Sequence, residues 1–208
     1  MPDMSDISVN ELQHHGTLWM LQFDQTPSVQ TDALTPVTWE NAGLEMAPAL
    51  SQAMGLADST EVLQRFVRGC YCYIGKINDE IAAYGWITFD QEHIGELDLT
   101  VCLRTGEAYI WDCSTLPAYR GLRLYPALLA YILNELRARG LSQVWIGADE
   151  DNVASQKGMT QAGFRPIIDI GIMQTETGRR AWIRGRPGIS EQEMDQACQA
   201  IIGAERLT

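Results

Sequence analysis

The sequence has 208 residues, of which 46% are hydrophobic and 20% are charged. This length and composition are typical of one globular domain, and they exclude a disordered, collagen-like or low-complexity chain. The formal net charge of −12 repels phosphate at long range, which disfavours a nucleic-acid-coating protein and favours cationic partners such as protonated amines.

The sequence lacks three features that would indicate a membrane, a secretory or an oxidising location of the protein in the cell. No apolar run approaches the roughly 20 residues that a membrane-spanning helix requires, so no membrane partner is expected. Residues 1–6 lack the basic and apolar regions of a signal peptide. The cysteines have neither CxxC nor zinc-site spacing, which favours a reducing cytoplasm and predicts no metal site. They are Cys70, Cys72, Cys102, Cys113 and Cys198.

Residues 1–69 are predicted to contain one strand followed by two helices. The apolar stretch at residues 18–23 could form the strand. Thr38 is interpreted as the N-cap of the first helix. Residues 58–61 have the pattern of a capping box that opens a second, short helix, which Gly69 ends.

The middle of the chain is predicted to be an antiparallel meander. Its four strands are expected at residues 70–77, 81–89, 97–103 and 107–115, where apolar and polar residues alternate between turn signals.

Helical signals return after this meander. Pro126 lies where the first turn of a helix tolerates proline, and Gly140 ends that helix. The later elements are a strand at residues 144–146, a helix from Asn152 to Gly163, strands at 167–173 and 180–183, and a C-terminal helix that a capping box at 190–193 begins.

The strand, loop and helix at residues 107–139 carry the strongest chemical signal. The N-terminus of a helix presents unpaired N–H groups and a partial positive charge, which suit a diphosphate. Arg120 and Arg123 concentrate positive charge in this loop although the whole chain is strongly acidic. The residues alone leave two interpretations open, a ligand-binding loop and a plain connector.

Two motifs in this region resemble the signatures of the GNAT acetyltransferase superfamily. Residues 117–129, with the sequence PAYRGLRLYPALL, resemble the loop that binds acyl-CoA in that family. Residues 152–155 (NVAS), followed by residues 162–165 (AGFR), resemble its second signature, and the separation of the two motifs also fits. The resemblance covers about residues 70–185.

The resemblance implies a mixed α/β (α+β) fold, in which helices flank a central, twisted, mostly antiparallel sheet. A single domain is expected to span residues 1–208. Its parts would be an N-terminal acceptor-side region at 1–69, a core with the strand–loop–helix acyl-CoA site at 70–185, and a C-terminal helix at 186–208. Because that helix could be an interface or a cap, a homodimer stays open.

The chain departs from the family pattern in and near these motifs. Arg123 replaces the middle glycine of the loop, and Tyr125 replaces its last small residue. Met159 stands where many relatives carry a tyrosine that is proposed to protonate the CoA thiolate, so that role is vacant or reassigned. In addition, four predicted strands precede the loop, where three are typical.

By this resemblance, the loop and the start of the second helix would bind acyl-CoA. The expected contacts are Cys113, Ser114, Thr115, Arg120, Gly121, Leu122, Arg123, Leu124, Tyr125, Asn152 and Ser155. A backbone N–H group within residues 113–115 would stabilise the oxyanion. Asn152 would contact the pantetheine arm, and a simple N-cap is its alternative interpretation.

Direct attack of an amine on an acyl thioester needs a base for the amine and an acid for the departing thiolate. Glu107 and Asp112, on the strand that leads into the loop, are the candidate bases, and a solvated strand edge is the alternative interpretation of both. Ser155 or Tyr125 would protonate the thiolate, directly or through water. The histidine pair at residues 14–15 is expected to be exposed and, without further ligands, receives no metal role.

The predicted function is acetyl transfer from acetyl-CoA, as a co-substrate and without a metal, to a primary amine of a small molecule or peptide in a ternary complex. The alternative is a non-catalytic acyl-CoA-binding or regulatory module, which the vacant tyrosine position favours. A nucleotide-binding enzyme is disfavoured, because the sequence has neither a Walker lysine nor a Rossmann glycine triplet. The acceptor is not identified, and residues 1–69 are expected to form its wall.

Overall fold

A nine-stranded sheet organises the chain in the computed structural model, which describes residues 12–28, 30–175 and 178–207. The strands are β1 (Leu12–Gln22), β2 (Thr38–Ala42), β3 (Tyr71–Ile77), β4 (Glu80–Thr88), β5 (Gln91–Ile94), β6 (Leu99–Cys102), β7 (Glu107–Thr115), β8 (Gln143–Asp149), β9 (Arg165–Thr175), β10 (Gly178–Gly185), β11 (Ile201–Ile202) and β12 (Ala204–Arg206). The helices are α1 (Ala47–Met54), α2 (Thr60–Val67), α3 (Leu124–Ala138), α4 (Val153–Gln161) and α5 (Glu191–Ala200).

The central sheet has the strand order β12-β10-β9-β1-β8-β7-β4-β3-β2. Neighbouring strands are antiparallel except in two pairs, β7–β8 and β10–β12, which run parallel. Helices α3 and α4 cover one face of this sheet, and α1, α2 and α5 cover the other. The predicted fold, a mostly antiparallel sheet flanked by helices, is confirmed.

Helix α3 lies at the centre of the larger core. Its apolar stripe packs on β3, β4 and β7 and includes Leu128, Leu129, Ile132 and Leu136, which are fully buried. On the opposite face, α5 buries Met194 against β9. Among the helices in the described ranges, none combines the length and the apolar character that crossing a bilayer requires.

The segment that begins at Thr38 is a strand, so the prediction of a helix start at this residue is wrong. Strand β2 forms one edge of the central sheet beside β3. Trp39 lies against Gly75, where a Cβ atom would be only 2.4 Å from its ring. The same ring stacks on Tyr131 of α3, with the two centroids 5.9 Å apart. Because these partners come from distant parts of the chain, the local pattern does not reveal the strand.

The predicted meander strand at residues 97–103 does not belong to the central sheet, so that part of the prediction is wrong. Strand β6 pairs with β5 on one side and with β11 on the other, and these three strands form a separate sheet, the small sheet. Alternation correctly indicates a strand at this position, but it does not say which strand is its neighbour. The third strand of the small sheet comes from the C-terminal end of the chain.

Side-chain capping follows the sequence at one helix and departs from it at another. At α5, Ser190 accepts a hydrogen bond from the Glu193 N–H at 3.3 Å, and the Glu193 carboxylate accepts one from the Ser190 N–H at 2.9 Å. The predicted capping box there is confirmed. At α2 it is wrong: Ser59 makes no side-chain cap, and Asp58 instead accepts a hydrogen bond from the Thr60 N–H at 2.8 Å.

Candidate active site

Strands β7 and β8 separate at the centre of the sheet. Their parallel pairing ends at Ile110 and Ile146, although β7 continues beside β4 and β8 continues beside β1. A cleft of about 550 Å³ opens where the two strands part. Its walls come from β1, β5, β7 and β8 and from the starts of α3 and α4. An extended ligand therefore has room between the two strands.

Strand β7 carries a bulge at the point where it leaves β8. Gly85 of β4 lies opposite two residues of β7, Asp112 and Cys113, which leaves one of them outside the regular ladder. Asp112 has a φ of 42°, a conformation that non-glycine residues adopt rarely and that concentrates at functional sites. Gly85 is required here, because a Cβ atom would lie 2.8 Å from the Cys113 sulfur. The bulge therefore places backbone that lies outside the regular strand ladder in the wall of the cleft.

The loop between β7 and α3 presents a run of unpartnered backbone N–H groups. Among the described residues, none accepts a hydrogen bond from the N–H groups of residues 121–125. Gly121 and Arg123 both have left-handed backbone, with φ of 82° and 58°. This conformation explains why glycine is usual at the position that Arg123 occupies. Such a helix start is a ready site for an anion.

Both loop arginines remain available to a ligand. Arg120 and Arg123 are exposed, and neither forms an ion pair within the part of the chain that the structure describes. Contacts with the rest of the protein hold the neighbouring loop residues in place. The Leu122 carbonyl accepts a hydrogen bond from the Leu34 N–H at 2.9 Å, and the Leu124 side chain is buried in the core. Two exposed arginines and a run of free N–H groups thus belong to one loop that the rest of the protein holds in place.

Tyr125 and Ser155 come together in the cleft from two different helices. Their hydroxyl oxygens are 2.7 Å apart, between the first turns of α3 and α4. Asn152 is the N-cap of α4, because its side chain accepts a hydrogen bond from the Ser155 N–H at 3.1 Å. Gly158 leaves space for the tyrosine, since a Cβ atom there would lie 2.7 Å from two carbons of the ring. Met159 is fully buried in the core.

Burial determines the protonation of two groups beside this pair. It raises the pKa of the Tyr125 hydroxyl, with a smaller contribution from Cys113, and the hydrogen bond with Ser155 only partly opposes the rise. Burial and the Asp112 carboxylate raise the pKa of the Cys113 thiol. Both groups keep their protons at neutral pH. Tyr125 therefore carries a hydroxyl proton at neutral pH, and Cys113 is not an activated nucleophile.

Two further predicted contacts lie beyond the bulge. Ser114 and Thr115 pair with Tyr84 and Ala83 of β4, and neither of the two lines the cleft. Their backbone continues the strand toward the loop, so any contact with a ligand would be made where the strand ends.

Asp112 lines the cleft but is held by a buried arginine. The Arg65 guanidinium binds Asp112 and, at 2.5 Å, Glu61. It lies between the rings of Trp86 and Trp111, at 5.1 and 4.5 Å from their centroids. Burial lowers the pKa of Arg65, but the two carboxylates outweigh it, so the pKa is raised. The Asp112 carboxylate is thus engaged in an ion pair.

Glu107 lies at the opposite end of β7 and does not line the cleft. Only 5% of the residue is exposed. Its carboxylate accepts hydrogen bonds from Nε and Nη2 of Arg104, at 3.0 and 2.6 Å, and from Nε1 of Trp145 at 3.4 Å. These partners make Glu107 part of the framework, and we assign it no catalytic role.

Replacing Glu107 with Gln is therefore expected to lower the free energy of unfolding by about 1–2 kcal/mol, because one charge-assisted contact with the half-exposed Arg104 is lost. The value of kcat should not change. Urea denaturation and a steady-state thiol-release assay measure the two quantities. A large loss of kcat at full stability would restore Glu107 as a candidate base.

Among the cleft residues that the sequence did not assign to the site, Glu92 and His15 have buried side-chain atoms without a hydrogen-bond partner in the described chain. Glu92 of β5 is buried in the cleft wall. His15 lies at a register shift between His14 and Gly16, which removes it from the strand ladder. The His15 Nε2 atom is buried and has no hydrogen-bond partner among the described residues, contrary to the expectation of an exposed pair. The sequence predicts no strand at residues 91–94, and the burial of Glu92 depends on the small sheet, so no local signal marks this residue.

The comparisons with known proteins agree with this geometry. The family model for the Acetyltransferase (GNAT) family matches residues 42–164, which is more than half of the chain and begins well before residue 70. A search of curated protein sequences found no match. Within the described ranges, no group of three or more His, Cys, Asp or Glu side chains is arranged to hold a metal ion.

Many solved structures share the fold. A GNAT-family acetyltransferase from Colwellia psychrerythraea has a TM-score of 0.54 at 15% identity, over 74% of this chain and 53% of that one. A GCN5-related N-acetyltransferase from Sphaerobacter thermophilus has a TM-score of 0.53 at 14% identity, over 76% and 50%. The ribosomal-protein-S18-alanine N-acetyltransferase from Escherichia coli has a TM-score of 0.52 at 18% identity, over 70% and 89%.

The matched part of this chain therefore spans about half the length of the first two of these proteins, and most of the third. At such low identity the structural likeness shows the fold alone. The family match, the fold, and the cleft between β7 and β8 point to the same conclusion: the chain belongs to the Acetyltransferase (GNAT) family.

Proposed function

We propose that this chain transfers the acetyl group of acetyl-CoA to a primary amine. The observation that carries the proposal is the separation of β7 and β8 beside a helix start whose N–H groups have no partner. The opening suits an extended thioester arm, and the helix start suits a diphosphate at the end of that arm. An acyl-CoA requires both features together, whereas a plain connector requires neither.

The diphosphate would lie against residues 120–124. The N–H groups of residues 121–124 have no partner within the described chain, and the two arginines would add charge-assisted hydrogen bonds. The bulky Tyr125 does not block this arrangement, because its ring turns inward over Gly158. Asn152 and Ser155 line the cleft beyond it, where they would contact the pantetheine arm.

The carbonyl oxygen of the thioester would be met at the bulge of β7. A bulge leaves backbone groups outside the ladder, and N–H groups so placed stabilise the negative charge that develops when an amine attacks. The stretch of residues 113–115, which begins at this bulge, is our candidate for that role. Tyr125 would protonate the departing sulfur, with Ser155 as its hydrogen-bonded partner.

The experiment that tests the proposal has two stages. Calorimetric titration with acetyl-CoA measures binding, and a thiol-release assay with a panel of primary amines then measures transfer. Binding followed by release supports the proposal. Binding without release for any amine supports the non-catalytic acyl-CoA-binding module instead. Failure to bind millimolar acetyl-CoA would overturn both.

The loop arginines give a sharper version of the binding test. Replacing either Arg120 or Arg123 with Ala is expected to weaken acetyl-CoA binding about fivefold, or about 1 kcal/mol, since both side chains are exposed and partly screened. The measurement is the calorimetric Kd at low salt.

Two variants serve as controls for this prediction. Arg123→Gly removes the charge but keeps the left-handed backbone without strain, so it should lose the same affinity as Arg123→Ala and be the more stable of the two. Arg179→Ala removes an exposed charge on β10 and should leave Kd unchanged. Equal Kd values for the wild type and both loop variants would contradict the phosphate role.

A further inference from the structure

The cleft has a side whose charge is opposite to that of the cofactor loop. Four carboxylates line the cleft, and no lysine or arginine of the described chain does. They are Glu92, Glu96, Asp112 and Asp149. Because a cleft with one sign of charge concentrates counter-ions, this side favours a cationic acceptor.

Of these four carboxylate residues, Glu92 is the one that is buried. Only 8% of the residue is exposed. Its Oε1 atom accepts a hydrogen bond from Arg68 at 3.3 Å. Its Oε2 atom also lies 3.3 Å from Arg68, but no described residue donates a hydrogen bond to it. A buried carboxylate oxygen without a donor is costly unless a ligand or water supplies one.

Glu92 stands in a wall between two openings. On one side lies the cleft that also contains Cys113 and Tyr125. On the other side lies a groove of about 480 Å³ along α2, and Glu92 and Trp111 line both. A proton that reaches Glu92 from the cleft therefore has a route to solvent on the α2 side.

We propose that Glu92 is the catalytic base, which receives the ammonium group of a primary amine, and that the small sheet forms the acceptor wall. The inference rests on the proposed acetyl transfer and names the residue that deprotonates its primary-amine acceptor. It replaces Asp112, whose partner Arg65 is buried, whereas Arg68, the partner of Glu92, is half-exposed. It also adds β5 and the residues that follow it to the expected acceptor wall, beside the part of residues 1–69 that lines the cleft.

The proton balance is complete with groups of this chain. The ammonium gives one proton to the Glu92 carboxylate, directly or through one water, and the free amine nitrogen forms a C–N bond with the thioester carbonyl carbon. The C–S bond breaks, and the sulfur takes a proton from the Tyr125 hydroxyl. The second amine proton restores Tyr125 through Ser155. Glu92 then releases its proton to solvent, so the products are the amide, the free thiol and one proton.

The surroundings of Glu92 determine the sign of the pH dependence. Burial raises the pKa of its carboxyl group, and Arg68 opposes the rise. The other titratable groups that face it are Arg65 of α2, His93 of the same strand, Tyr109 of β7 and Cys70 beside β3. A base must be deprotonated to act, so kcat/KM should fall with decreasing pH at a higher pH than an ordinary carboxylate would give.

The test compares Glu92→Gln with the wild type. Acetyl-CoA affinity should be unchanged, while kcat with the best amine of a panel of polyamines, amino-acid amides and short peptides should fall about a hundredfold. Transfer to hydroxylamine, which is unprotonated at neutral pH and needs no base, should be retained. Glu191→Gln, which removes an exposed charge from α5, is the matched control and should keep full kcat.

A second variant keeps the proposal testable if Glu92→Gln does not fold. Arg68→Gln removes the group that lowers the Glu92 pKa, so the acidic limb of the kcat/KM profile should move to higher pH. An unmoved limb, or an unchanged kcat in a folded Glu92→Gln protein, would overturn the inference. So would loss of kcat in His15→Gln but not in Glu92→Gln, or no transfer to any amine although acetyl-CoA binds. Failure to bind acetyl-CoA would instead overturn the proposed function.

Discussion

Replacing Tyr125 with Phe is expected to lower kcat for acetyl transfer about a hundredfold while leaving the acetyl-CoA Kd unchanged. The hydroxyl is lost, but the ring that packs over Gly158 is kept. Burial holds the Tyr125 pKa high, so the wild-type residue carries its proton at neutral pH and can give it to the departing thiolate. Steady-state thiol release and calorimetry provide the two measurements.

Two neighbouring variants separate a chemical role from a packing role. Ser155→Ala removes the hydrogen-bond partner of Tyr125 and should lower kcat less than Tyr125→Phe does. Gly158→Ala keeps both hydroxyls but forces the tyrosine ring to move, since the added Cβ atom would lie 2.7 Å from two of its carbons. It should therefore also lower kcat. Full activity of Tyr125→Phe would show that another group, or water, protonates the sulfur.

Replacing Trp86 with Ala is expected to lower the free energy of unfolding by about 3–5 kcal/mol, the range for a fully buried large aromatic side chain. Trp86 is 0% exposed. It packs against Phe66 of α2, with ring centroids 5.1 Å apart, and supports the Arg65 guanidinium. Its loss would remove one contact between α2 and the sheet and would leave Arg65 free to move away from Asp112. The midpoint and slope of a urea denaturation curve measure the effect.

Trp86→Phe is the control for this prediction. The indole Nε1 atom of Trp86 has no hydrogen-bond partner among the described residues, so Phe loses contact area but no hydrogen bond. Its cost should be much smaller than that of Trp86→Ala. If the two variants were equally unstable, the size of the cavity would not explain the loss.

Short stretches of consecutive residues were enough to predict the loop before α3 and the starts of α3 and α4. The loop at 117–124, the start of α3 near Pro126, and Asn152 at the start of α4 all form where the sequence predicts them. Each depends on glycine, proline or capping residues that act within one or two turns of their own position. The expected contacts in this region stay predictions, but their local backbone is the one the motifs indicate.

Several other parts of the fold could not be predicted from consecutive residues. Strand β2, the small sheet and the burial of Glu92 all depend on pairing between segments far apart in the chain. Glu107 shows the opposite error. From its position on the strand that leads into the loop, it was predicted to be a candidate base. Arg104 and Trp145 engage it at the far end of the strand instead.

The sequence by itself determined the family, the overall class of the fold and the position of the loop before α3, because those depend on short motifs and on local backbone geometry. The tertiary structure alone decided which side chains share the cleft. Tyr125 meets Ser155, and Glu92 enters the wall opposite them, only because strands and helices from separate segments pack together. Alternation and helical spacing tell which face of an element is buried, but the partner across that face is chosen by long-range pairing.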